Sequence, residues 1–130
     1  DKGEQAVSKV RADQTGLWHV APDGSELERL APHRDPVYDA AALKAAYYEA
    51  VECDAAWARW FTAEGLSPLR LTYEDLAADP AAALRAVLDG LGLDAAHADG
   101  VLPGTAKLAD EISADWARRL RADIEKGRAR

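Results

Sequence analysis

The chain has 130 residues, a mass of 14.0 kDa, a formal net charge of −7 and a sequence pI near 4.9. That length is one domain or part of one, and the acidic balance argues against nucleic acid as a partner, since phosphate backbones are bound by basic surfaces. No apolar run approaches the roughly 18 residues of a membrane span, no secretory leader is visible, and the single cysteine, Cys53, excludes an internal disulfide and suits a reducing, cytoplasmic setting.

Residues 4–20 are predicted helical, with Ala6, Val7, Val10 and Leu17 facing inward. Pro22-Asp23-Gly24-Ser25 is a turn signal inside a loop over 21–37, where Pro32 and Pro36 stop any continuation. The longest helix is predicted over 39–64. There Leu43, Tyr47, Ala50, Val51, Asp54, Trp57 and Phe61 approximate the 3.6-residue period, and Gly65 is a natural stop. Trp57, Trp60, Phe61 and Trp116 fit helix packing, and Cys53 reads as a small buried side chain rather than a reactive thiol.

The run Leu69-Arg70-Leu71-Thr72 is a predicted strand feeding a short helix at 73–77. Asp79 then caps the next helix, with Pro80 at its first position, where the missing N–H costs nothing. That helix ends near Gly90-Leu91-Gly92, residues 94–106 are irregular, and a final helix covers about 110–126. Strand feeding helix is the order of an α/β sheet. A lone strand has no partner, so neighbours of 69–72 are expected upstream of this sequence.

Tyr73-Glu74-Asp75-Leu76, three residues and then Pro80 resembles a segment of sulfotransferases that use the activated sulfate donor PAPS. Asp1-Lys2-Gly3-Glu4-Gln5-Ala6-Val7-Ser8, Gln14-Thr15-Gly16-Leu17-Trp18-His19, Pro36-Val37-Tyr38-Asp39 and Ala109-Asp110-Glu111-Ile112-Ser113-Ala114-Asp115-Trp116 are similar, in that order, to boxes of the bacterial Stf0-type (trehalose 2-sulfotransferase-like) family. The resemblance implies an α/β fold. Residues 1–130 would be the C-terminal, helix-rich part of a P-loop-like sulfotransferase domain whose parallel sheet is flanked by helices. The phosphosulfate loop and the general base of that family would lie upstream, and no G-x-x-x-x-G-K-[ST] loop occurs in the chain.

Site residues follow from the resemblance, each beside a plainer reading. The family places a serine matching Ser8 on the 3′-phosphate of the nucleotide, as a hydroxyl at a helix start; the alternative is an ordinary helix-face serine. Tyr73 matches a tyrosine near the adenine, or is a core tyrosine at a strand end. Lys107 stands where a cation reaches a nucleotide phosphate, or is a solvated loop lysine. Trp18 and His19 belong to a helix lining the cleft, where the imidazole orients an acceptor hydroxyl or steadies sulfuryl oxygens and is the one catalytic candidate. Otherwise they pack or cap.

Glu74 and Asp75 do not face each other on a helix and read as capping residues rather than an acid/base pair. Arg118, Arg119 and Arg121 read as a solvated basic face. His33 and His97 show no ligand spacing, and with three histidines and one cysteine no metal is expected. The implied activity is sulfuryl transfer from PAPS to a hydroxyl of a carbohydrate or glycolipid, with a homodimer compatible with the family. The alternative is a non-catalytic helical remnant that acts as a binding module.

Overall fold

The computed structural model describes residues 1–128, which divide into two units, 1–60 with 105–128 and 61–104. In the first unit Asp1 caps α1 (Lys2–Thr15), its carboxylate accepting from the Gly3 and Glu4 amides at 2.7 and 3.2 Å. Aspartate is suited to this because it satisfies amides that the first turn leaves without carbonyl partners. The helix stops at Gly16, which takes φ 73° and returns its amide to the Ala12 carbonyl at 2.8 Å. A β-carbon at Gly16 would stand 2.4 Å from the Ala31 carbonyl oxygen, so both conformation and space demand glycine.

That stop overturns the predicted helix over 4–20. Leu17–Val20 form β1 and Glu26–Arg29 form β2, an antiparallel hairpin inside the segment expected to be a loop. The turn signal at Pro22–Ser25 is its tip. Gly24 has φ 84°, the Ala21 amide donates to the Ser25 carbonyl at 2.8 Å, and the Asp23 carboxylate accepts from the Ser25 amide at 2.9 Å.

α2 (Ala40–Ala63) begins with the Asp39 carboxylate accepting from the Ala41 and Ala42 amides at 2.9 and 3.0 Å. α5 (Glu111–Arg128) begins with Asp110 accepting from the Ser113 amide at 2.9 Å. The core joins α1, the start of α2 and α5 through Ala6, Val7, Val10, Leu43, Ala46, Trp116, Ala117, Leu120 and Ile124. Val7, Leu43 and Leu120 are almost fully enclosed, and each such side chain contributes roughly 1.5–3 kcal/mol.

Polar contacts set the register of these helices. Arg11 of α1 grips Asp110 with both terminal nitrogens, at 2.5 and 3.0 Å, and also donates to Ser113. The Tyr38 ring stands edge-on to Trp116 at 5.7 Å, carries the Arg119 guanidinium 3.5 Å from its centroid, and donates to Asp123 at 2.9 Å. Arg118, Arg119 and Arg121 are exposed, as expected of a solvated face, and also make surface contacts: Arg118 pairs with Asp115, Arg119 stacks on Tyr38, and Arg121 approaches Asp1 at 3.5 Å.

The far half of α2 departs from its predicted burial. Trp57 and Trp60 stack edge to face at 5.6 Å but are 58% and 46% exposed, and Cys53 is exposed rather than buried. Helical periodicity names a face, and packing needs a second surface against that face.

In the second unit Thr72 caps α3 (Tyr73–Ala78) by accepting from the Asp75 amide at 3.0 Å, while its hydroxyl donates to the Asp75 carboxylate at 2.6 Å. Asp79 caps α4 (Pro80–Gly90) through the Ala82 amide at 2.9 Å. A single 3-10 turn at Ala95–Ala98 is tied to α4 by the Arg85–Asp99 pair at 2.5 Å. Residues 69–72 run into α3 without joining any ladder among the described residues, and Leu69 and Leu71 stay exposed. The predicted strand is thus an extended lead-in. The fold is α/β, but its sheet among the described residues is the antiparallel hairpin rather than a parallel sheet. No described helix is long and apolar enough to cross a membrane.

Two titrations follow from this packing. The Arg11 guanidinium, together with the Ser113 amide, lowers the Asp110 carboxyl to about 2 from 3.8. A depressed acid contributes stability that is present above its unfolded value and lost as pH falls through the folded one. Between about pH 4 and 2 the thermal midpoint should therefore drop more steeply in the native chain than in Asp110→Asn.

Burial, then the bond to Asp123, pushes the Tyr38 phenol up to about 12 from 10.0. A raised tyrosine contributes stability that is complete below its unfolded value and lost as pH rises through the folded one. Phenolate absorbance should show Tyr38 ionising last of the four tyrosines, and Tyr38→Phe should remove that late step.

Candidate functional site

The Gln14–His19 box lies where α1 turns into β1. Gln14 clamps one backbone unit: its side-chain amide donates to the Val37 carbonyl at 2.9 Å and accepts from the Val37 amide at 2.9 Å. The box thus holds the Pro36–Asp39 box directly, and Asp39 then starts α2. Arg29 of β2 donates to the Thr15 carbonyl at 2.8 Å and pairs with Glu26, while the Leu30 amide donates to the Gly16 carbonyl at 2.8 Å. The hairpin is therefore fastened to the end of α1 rather than hanging from it.

The ladder is irregular in an informative way. Leu17 pairs with Arg29, His19 with Glu28 and Val20 with Glu26. Trp18 is one residue too many on β1 and Leu27 one too many on β2, so the register slips and recovers within four residues. A regular ladder from the first pair would set Glu28 opposite Trp18. The slip sets it opposite His19 instead, and His19 Nδ1 lies 2.5 Å from Glu28 Oε2. His19 is exposed and Trp18 half-buried.

The hairpin also receives the chain returning from residue 105. The Ala106 amide donates to the Val20 carbonyl at 3.0 Å in an antiparallel bridge. Lys107 follows at once, and the direction of that bridge carries it towards His19. The bridge thus brings the backbone preceding Lys107 beside the strand that bears Trp18 and His19. Ser8 lies on α1 of the same unit, exposed but mid-helix. It is not at a helix start, so the surrounding amides are spent within the helix and only the hydroxyl remains for a ligand. Arg11, one turn on, is committed to Asp110. Tyr73 opens α3 of the second unit and is 57% exposed, not a core tyrosine. Among the described residues no three histidine, cysteine, aspartate or glutamate side chains are grouped to hold a metal.

The sequence places Trp18 and His19 in a helical pattern and gives no sign of the roles of Glu28 and Arg29. The signal for the hairpin was present. Asp-Gly lies between Leu17–Val20 and Glu26–Arg29, two short runs that a tight turn can pair.

The Stf0 sulphotransferase family model matches residues 1–123. The trehalose 2-sulfotransferase of Mycobacterium tuberculosis (strain Erdman) is 33% identical over 125 residues, which is 95% of this chain and 43% of that protein. The trehalose 2-sulfotransferase of Mycolicibacterium smegmatis is 30% identical over 126 residues, 97% of this chain and 44% of that one. The chain thus spans less than half the length of these curated relatives. No solved structure shows a significant match. With a family match across nearly all of its residues, the chain belongs to the Stf0 sulphotransferase family.

Proposed function

We propose that this chain is the C-terminal portion of a single sulfotransferase domain with a P-loop-like parallel sheet, which passes a sulfuryl group from PAPS to a hydroxyl of a carbohydrate or glycolipid, a trehalose-like sugar being the first to try. One observation carries the reading. In a chain of this family, the strand that bears Trp18 and His19 is fastened to the helix that bears Ser8 and is bridged at Val20 to the residue before Lys107. The donor supplies an activated sulfuryl group on a phosphate.

This chain's residues bind and orient. The Ser8 hydroxyl donates to the 3′-phosphate, and exposed Lys107 offers a point charge to a phosphate. The Tyr73 ring stacks on adenine, while Trp18 and His19 hold the acceptor so that its hydroxyl is aligned. Such positioning accelerates transfer without any metal. A cytoplasmic location and a homodimer belong to the same proposal.

Calorimetry on the protein with its upstream half tests the nucleotide assignment. Ser8→Ala should weaken adenosine 3′,5′-bisphosphate by about 1.5–3 kcal/mol, the scale of a hydrogen bond to a charged group, or roughly ten- to a hundred-fold in Kd. It should weaken adenosine 5′-phosphate far less, whereas Tyr73→Ala should weaken both alike. Equal losses for the two ligands in Ser8→Ala would remove Ser8 from the 3′-phosphate site.

A further inference from the structure

The paired slips of the hairpin serve one contact. Trp18 and Leu27 are the extra residues, one on each strand, and between them only the His19–Glu28 pair is displaced from a regular ladder. Bulges re-aim side chains, and this one brings an imidazole onto a carboxylate at 2.5 Å. The neighbouring charges leave Glu28 available for it. Arg29, the cation beside it on β2, is spent on Glu26 and the Thr15 carbonyl.

An ionised carboxylate only accepts hydrogen bonds, so the nitrogen facing it must carry a hydrogen. Neutral His19 is then protonated on Nδ1, and Nε2 presents a lone pair. The side chain is 55% exposed, so that nitrogen is within reach of a solute. His33 provides the contrast, because its carboxylate neighbour, Asp35, faces Nε2 at 3.4 Å.

We infer that Glu28 is a positioning residue. It fixes His19 in the Nδ1–H tautomer, so that Nε2 accepts a hydrogen bond from a hydroxyl of the acceptor beside the reacting one and orients the acceptor for transfer. The inference takes the identity of the acceptor from the proposed sulfuryl transfer, but the tautomer stands apart from it.

Long-range proton–nitrogen correlation spectra of the protein with its upstream half, at a pH where His19 is neutral, read the tautomer directly. The expected pattern is Nδ1–H for His19, reverting in Glu28→Ala to a mixture dominated by Nε2–H. Asp35→Ala removes the carboxylate beside His33 and should leave the His19 pattern unchanged. An Nε2–H pattern for His19 in the native chain overturns the inference without any variant. So does an unaltered Nδ1–H pattern in Glu28→Ala.

Titration with trehalose separates this from the functional reading. A shift of His19 Nε2 supports both. An Nδ1–H tautomer with no shift keeps the positioning of His19 and counts against trehalose as the acceptor.

Discussion

The pairing of Arg11 with Asp110 closes the first unit. It joins side chains 99 positions apart, from α1 to the residue that begins α5. A guanidinium meets a carboxylate through two parallel bonds, which fixes orientation as well as distance. The Arg11 side chain is largely covered, at 17% exposure, so its charge is less screened than in an ordinary surface pair. Asp110 has a second duty, since it accepts from the Ser113 amide and so caps α5. One carboxylate both starts the last helix and sets it against the first, with Val7 and Leu120 filling the core between them.

The hairpin inherits its placement from that frame. α1 ends at Gly16 because the chain must turn beneath Ala31, and only glycine fits there. Gln14, two residues earlier, holds Val37 by both its amide and its carbonyl, which carries the chain to the start of α2. The boxes that resemble the Stf0 family are therefore largely a set of mutual fastenings. Gln14, Gly16, Val37, Tyr38, Asp110 and Trp116 shape the frame, and the side chains proposed to bind, Trp18, His19 and Lys107, ride on it. Conformational precision at a site depends on the rigidity of what carries it.

Much of this was legible in the sequence, but unevenly. Asp79-Pro80, Gly65 and the long period of α2 located helices because their signals are local. The inward face of α1 followed from spacing, and Val7, Val10 and Trp116 are buried as expected. The hairpin was harder to see, because its two four-residue runs carry charged residues and bulges that break alternation. Leu69–Thr72 carries strand-forming side chains, yet a strand is defined by its neighbour, which no single segment encodes. Trp57 and Trp60 sit at helical spacing, but whether a helix face is covered depends on what else packs there. The His19–Glu28 pairing was invisible for the same reason. It exists only in the slipped register, and a one-residue change of register exchanges every partner.

A double-mutant cycle on Arg11 and Asp110 tests the account most directly. Arg11→Ala, Asp110→Ala and the pair of changes together would be compared by denaturant unfolding. Loss of the α5 cap is common to both Asp110 legs and cancels, which leaves the interaction itself. The account predicts a coupling of about 1–2 kcal/mol, above the roughly 0.5 kcal/mol of an exposed pair, because the contact is bidentate and partly covered. Additive losses, with a coupling indistinguishable from zero, would contradict it and leave α1 and α5 tied by the apolar core and their remaining polar contacts.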